Sequence, residues 1–295
     1  MLLIQLSGAS PSNDQLKALV HEQITRDLAE DPISAKYNIM FLYDAVAIAR
    51  SDADQLYRAL NKSSRDKPLL LIVDSEGGDV GAAYFIAKIC REFTDKTFEV
   101  AVPRRAKSAA TLICCGAERI HMGSLSELGP IDPQFQGLPA LALKNSIEHL
   151  ADLTKRYPQA ADLFATYLSK TLRIEALGFY ERVAESAAQY AERLLRARKL
   201  TGIPDEQIKT IAERLLYMYK DHGFVIDAAE AAEIFGKDVV LSNTPEYALA
   251  NKLYRSLDLL DRVLRDFHAL NFAFTGGPDS GCQLRKRPPT QPQPT

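Results

Sequence analysis

The feature that most constrains this chain is a run of five aliphatic residues, Leu69-Leu70-Leu71-Ile72-Val73, which leads into Asp74-Ser75-Glu76-Gly77-Gly78-Asp79. A strand apolar on both faces belongs in a parallel sheet covered from both sides. After the glycine pair, Asp79 is a good N-cap for a helix that buries Ala82, Phe85, Ile86, Ile89 and Phe93. A second stretch, Ala106-Lys107-Ser108-Ala109-Ala110-Thr111-Leu112-Ile113, closed by Cys114-Cys115-Gly116, has the same order of strand, tight turn and abrupt helix. Its turn carries a serine. Helix N-termini leave N–H groups unpaired and present the positive end of a dipole. Two such ends on one cleft place a nucleophile beside an oxyanion site.

The remaining elements extend the same alternation. Residues 13–29 read as an amphipathic helix capped by Ser12 or Asn13, and 38–48 as a strand. A helix opens at Asp52 or Asp54 and runs to Leu60, and 98–102 and 118–122 are further strands. The β-α-β-α-β order predicts an α/β fold with right-handed crossovers. From about 138 to 200 the pattern becomes long and helical, Asp205 caps another helix, and 227–235 ends at Gly236. Residues 241–274 are expected to hold a C-terminal helix over 244–272. The Gly-Gly-Pro and proline-rich composition of 275–295 predicts a disordered tail.

Composition narrows the function classes. A net charge of −2 gives no reason to expect nucleic acid or an anionic membrane as partner. No window approaches 18 uninterrupted apolar residues, so no transmembrane segment is expected. The N-terminus lacks the basic stretch of a signal peptide. Cys90, Cys114, Cys115 and Cys282 fit neither a zinc spacing nor a disulfide framework, and reduced buried thiols suit a cytoplasmic location. No histidine pair has metal-ligand spacing, and neither phosphate-binding glycine motif is present, so no metal and no cofactor is expected.

Three ordered motifs then carry a resemblance: Ser75-Glu76-Gly77-Gly78-Asp79, Ala106-Lys107-Ser108-Ala109-Ala110-Thr111-Leu112, and Ser126-Glu127-Leu128-Gly129-Pro130-Ile131-Asp132-Pro133-Gln134. Together they resemble the serine dehydrogenase proteinase family, related to SppA-type signal peptide peptidases and more distantly to the Clp proteolytic subunit. The late segment His222-Gly223-Phe224-Val225-Ile226, ahead of Glu230-Ala231, matches as well. The resemblance runs from about 38 to 236. It implies a Clp/crotonase-like fold of repeated ββα units over 36–240, with a helical insertion at about 140–200 and a largely helical C-terminal region. Residues 1–35 stand before it as an N-terminal helical segment. It also implies a serine nucleophile, a polypeptide substrate and a homo-oligomer.

A hydroxyl is a poor nucleophile until one group takes its proton and another accepts the charge on the carbonyl. Ser108 sits where both can happen, although most serines in such a place are simply N-caps. Gly78 is the expected oxyanion donor by resemblance to the Clp subunit, with Ala109 as the second and Gly77 beside them. A Clp-type triad calls for a histidine near 131–134, where this chain has Asp132. SppA-type relatives use a lysine neutralised by burial instead. Lys144, among Leu141, Leu143 and Ile147, is the preferred base, and Lys155, within Thr154-Lys155-Arg156, reads as a solvated residue. His222 is a further candidate because its segment matches. His121 reads as structural, and His21 and His268 as surface residues.

Three functions are consistent with these residues. The first is a serine peptidase acting through an acyl-enzyme. The second is a crotonase-like acyl-CoA enzyme with Asp79 or Glu127 in its pocket, against which Lys107-Ser108 argues. The third is a non-catalytic Clp-fold scaffold, assembling with an ATPase partner.

Overall fold

The computed structural model describes residues 12–44, 47–135, 138–139, 142–171, 174–198 and 203–286. The first helix, α1 (Asn13–Ala29), is closed by a capping box: Ser12 accepts from the Gln15 N–H, and the Gln15 side chain accepts from the Ser12 N–H. Then follow β1 (Asn38–Asp44), α2 (Arg50–Leu60), β2 (Leu69–Ser75), α3 (Val80–Glu92), β3 (Phe98–Ala101), β4 (Arg105–Ala106), α4 (Ala109–Cys115), β5 (Arg119–Met122) and β6 (Glu127–Leu128). A small antiparallel pair, β7 (Gln134–Phe135) and β8 (Leu138–Pro139), precedes the helical part. That part comprises α5 (Ala142–Arg156), α6 (Ala161–Thr171), α7 (Ile174–Arg196) and α8 (Asp205–Glu213). The chain returns through α9 (Ala228–Phe235), β9 (Val240–Ser242), α10 (Pro245–His268), β10 (Leu270–Gly276) and β11 (Cys282–Lys286).

The sheet runs β11-β10-β1-β2-β3-β5-β9, with β4 branching from β2 to β6. Pairing from β1 through β9 is parallel, so the α/β expectation holds, while β10 and β11 add an antiparallel edge. The aliphatic run of β2 supplies both sides of the sheet. Leu69, Leu71 and Val73 join the core formed with α2, α3, α4 and α7, whereas Leu70 and Ile72 join the core formed with α1 and α10. Each such fully buried aliphatic side chain stabilises its core by about 1.5–3 kcal/mol. Among the described residues, no helix is long and apolar enough to cross a membrane.

Several expectations need correcting. Phe85 is exposed on α3 under the Arg50 guanidinium, and Ala83, Ala87 and Cys90 are buried instead. Pro204, not Asp205, occupies the N-cap of α8. The strand expected over 38–48 ends at Asp44, and Ile48 makes only an isolated bridge to Gly78. The helix expected over 244–272 stops at His268, where Ala269 turns left-handed with φ 51°. Residues 270–276 and 282–286 are paired strands, so a disordered tail does not begin at 275. Phe272 and Phe274 are the reason, since their rings bury against Phe41 and Tyr43 of β1. His21 is consequently no surface residue: its Nε2 accepts the Cys282 N–H at 3.1 Å.

Candidate active site

The candidate site lies at the carboxyl ends of β2 and β4, where open parallel sheets carry their ligand-binding loops. The Lys107 N–H donates to the Ser75 carbonyl at 3.0 Å, which brings the two strand ends together. Arg105 adds a tie on the other face, its N–H donating to Asp74 at 3.0 Å. Burial nevertheless raises the Asp74 carboxyl above its usual range, with the Arg105 charge opposing that shift.

Ser108 follows at the N-cap of α4, and it is unlike the other caps. Ser12, Asp79, Asp227 and Thr244 all have extended backbones, and the side chain of each accepts a helix N–H. Ser108 has φ 51° and ψ −120°, and its side chain makes no capping bond. The plain N-cap reading therefore does not describe it. A non-glycine residue in that region costs on the order of 1–3 kcal/mol, so the surroundings must hold it there. They do so through Thr111, one turn into α4, whose hydroxyl donates to the Ala106 carbonyl and accepts the Gly129 N–H at 3.0 Å.

The glycine pair is shaped by what lies against it. Gly77 has φ 108°, and a Cβ there would come within 2.7 Å of the Ser108 Cβ and 2.8 Å of the Lys107 carbonyl oxygen. Gly78 has φ 147° and is crossed by Ile48, whose backbone nitrogen would be 2.4 Å from a Cβ. Both positions require glycine. The Gly77 N–H is used by the Ser75 hydroxyl at 3.1 Å. Neither the Gly78 N–H nor the Ala109 N–H has a hydrogen-bond partner among the described residues.

Asp132 and His222, drawn from two separate motifs, form a pair. His222 Nδ1 lies 2.8 Å from Asp132 Oδ1, and Gln134 donates to the second carboxylate oxygen at 3.2 Å. A carboxylate only accepts, so Nδ1 carries the hydrogen and the neutral ring keeps its lone pair on Nε2. That nitrogen has no hydrogen-bond partner among the described residues. The His222 turn is well built. Phe224 N–H closes it on the Asp221 carbonyl, Gly223 N–H bonds the Asp221 side chain, and Leu128 and Ile226 exchange two backbone bonds. Lys107, the residue before Ser108, reaches the same turn at the Gly223 and Phe224 carbonyls.

The other candidates fare differently. Lys155 is exposed on α5 and ion-paired with Asp152, outside this arrangement. Lys144 lies on α5, but its side chain is outside the described residues. Asp79 is occupied as the cap of α3, bonding the Ala82 N–H at 2.6 Å, and Glu127 pairs with Lys107 at 3.2 Å. Among the described residues no group of acidic, histidine or cysteine side chains could hold a metal ion. In the sequence Asp132 and His222 stand in two separate motifs, 90 residues apart. The one sequence signal for the pair is that both fall in motifs resembling the same family.

Fold and site together define an α/β protein whose strand-end loops carry a strained serine and a histidine–aspartate pair. Residues 33–162 match the family model of ClpP-like SDH-type serine proteinases, the family that the motifs resemble. The match covers Gly77, Gly78, Ser108 and Asp132 and ends before His222. An uncharacterized protein of Methanocaldococcus jannaschii, MJ0137, is 28% identical over 225 residues, which are 76% of this chain and 70% of that one. A second from the same organism, MJ1495, is 33% identical over 96 residues, 32% of each chain. Solved structures similar to this chain include a variant of ClpP1 from Listeria monocytogenes, with TM-score 0.41 and 18% identity over 71% of this chain and 94% of that one. A variant of the 1510-N membrane-bound stomatin-specific protease gives TM-score 0.43 and 14% identity, over 75% and 83%.

Proposed function

We propose that this protein is a serine peptidase in which Ser108 is the nucleophile and His222, held by Asp132, is the base. The observation that carries the reading is the conformation of Ser108: a strained N-cap residue that caps nothing. In this mechanism His222 Nε2 takes the hydroxyl proton as Ser108 Oγ attacks the scissile carbonyl. The N–H groups of Gly78 and Ala109 receive the oxyanion. His222 then gives the proton to the leaving amine, and water, deprotonated by the same nitrogen, releases the acyl group. Asp132 stands where a Clp-type triad has its histidine, so the two partners have exchanged places along the chain. The acyl-CoA alternative is weakened because Asp79 and Glu127 are both occupied. A homo-oligomer in the cytoplasm acting on polypeptides, with or without an ATPase partner, completes the proposal.

A serine-directed fluorophosphonate probe tests it. Wild-type protein should be labelled, Ser108→Ala should not, and His222→Ala should be slower by at least about a thousandfold. Undiminished labelling of Ser108→Ala sinks the peptidase. Normal labelling of His222→Ala with loss in Lys144→Met would move the base to Lys144. Coenzyme A binding without labelling would favour the acyl-CoA enzyme, and neither result the scaffold.

A further inference from the structure

The Lys107 side chain is enclosed, with only 10% of it exposed. Its amine nitrogen lies 2.9 Å from the Phe224 carbonyl, 3.3 Å from that of Gly223, 3.4 Å from that of Leu128 and 3.2 Å from Glu127 Oε2. All four neighbours are acceptors. The nitrogen is therefore a donor in every direction and has no lone pair to offer a substrate or Ser108, so Lys107 is not the base. Its stem runs where a side chain on Gly129 would stand, since a Cβ there would lie 2.8 Å from Lys107 Cδ. The contacts join points 116 and 117 residues apart in the sequence.

What these contacts tie together is specific. Lys107 is covalently next to Ser108, the carbonyls of Gly223 and Phe224 follow His222 directly, and Glu127 and Leu128 lie on the strand that leads to Asp132. One amine thus touches the segment of each proposed triad member. We propose, resting on the peptidase reading above, that Lys107 is a positioning residue whose amine holds the His222 turn and the Asp132 strand in register with Ser108. Hydrogen bonds from a charged donor are shorter and roughly twice as strong as neutral ones. A displacement of about 1 Å between reacting groups is enough to cost about a hundredfold in rate.

The test reads the tether and the reaction separately. Isotope-labelled histidine makes the five histidines individually visible by NMR, with His222 identified through His222→Gln. His121, buried at a distance from this turn in sequence and in its own hydrogen-bond network, reports on the fold. In Lys107→Met the Nδ1–H signal of His222 should be lost or shifted while that of the His121 ring stays. The limiting rate of fluorophosphonate labelling should fall about 10- to 100-fold with its concentration dependence unchanged. Added to His222→Ala, Lys107→Met should slow labelling little further, because both act through one group. An unchanged His222 signal in folded protein overturns the proposal, as does an equal loss of rate in both backgrounds. If Lys107→Met also loses the His121 signal, Lys107→Gln, which keeps a polar end but stops one bond short of the amine and so gives up its contacts to the turn, is read by the same criteria. Absence of labelling in the wild type removes the peptidase reading alone, since the His222 signal still decides whether Lys107 holds the turn.

Discussion

Among the described residues, His121 and His222 each hydrogen-bond a carboxylate, and they differ in what is left over. His121 Nε2 lies 2.9 Å from Glu99, and His222 Nδ1 lies 2.8 Å from Asp132, so pair geometry alone does not separate them. His121 and Glu99 are 3% and 2% exposed, and the second nitrogen of His121 is taken by the Thr244 hydroxyl at 2.9 Å. Tyr37, Thr97 and Arg119 occupy the rest of the Glu99 carboxylate. His222 is 27% exposed and keeps Nε2 unpaired among the described residues. A fully satisfied buried network can rigidify a core but has no atom with which to act. An oriented ring with one open nitrogen does. The lesson is that a candidate base is recognised by its unused acceptor and not by its partner.

The largest expected effects turn this contrast into a double dissociation. His222→Ala should lower fluorophosphonate labelling by at least about a thousandfold while leaving the free energy of urea unfolding within about 1 kcal/mol of wild type. His121→Ala should do the reverse. It removes one hydrogen-bond partner from buried Glu99 and one from half-buried Thr244, at a cost of about 1–3 kcal/mol, while the folded fraction labels normally. Equal stability losses in the two variants would erase the distinction.

Glu99 sharpens the comparison through pH. Burial pushes its carboxyl up, but hydrogen bonds from His121, Thr97 and Tyr37 and the charge of His121 outweigh burial and hold it below the usual glutamate range. A group depressed in the folded state stabilises fully above its unfolded value, and that stability is lost as pH falls through the folded value. Wild-type stability should therefore decline on acidification below the ordinary glutamate range. Glu99→Gln should flatten that decline and cost about 1–3 kcal/mol at neutral pH. Urea midpoints measured across the acid range check both, and an unaltered acid limb in Glu99→Gln would remove Glu99 from the account.

How far such features could be read beforehand depends on how local they are. The cap Asp79, the α1 cap narrowed to Ser12 or Asn13, the aliphatic strand at 69–73 and the short helix ending at Gly116 are legible because each is decided within a few residues. The stop of α10 was not, because Ala269 carries no sequence signal for a left-handed turn, whose usual residue is glycine. Missing it hid β10 and β11, and with β11 went the partner of His21. The members of the site were legible one at a time. The Asp132–His222 pair spans 90 residues, and nothing local to either predicts that they meet. The strain on Ser108 was also invisible, since a serine before a short helix looks the same whether or not it caps.

That strain supplies the smallest and most discriminating effect. Holding Ser108 at φ 51° and ψ −120° costs about 1–3 kcal/mol, which a glycine would relieve. Against this, glycine loses more chain entropy on folding, about 0.5–1 kcal/mol. Ser108→Gly should therefore abolish labelling yet raise stability by about 1 kcal/mol. Ser108→Ala keeps the strain and removes no cap, so its stability should stay near wild type. Ser12 provides the control, because it does cap its helix: Ser12→Ala should cost about 1 kcal/mol and leave labelling intact. Should Ser108→Ala lose as much stability as Ser12→Ala, Ser108 is an ordinary cap, and its conformation says nothing about chemistry.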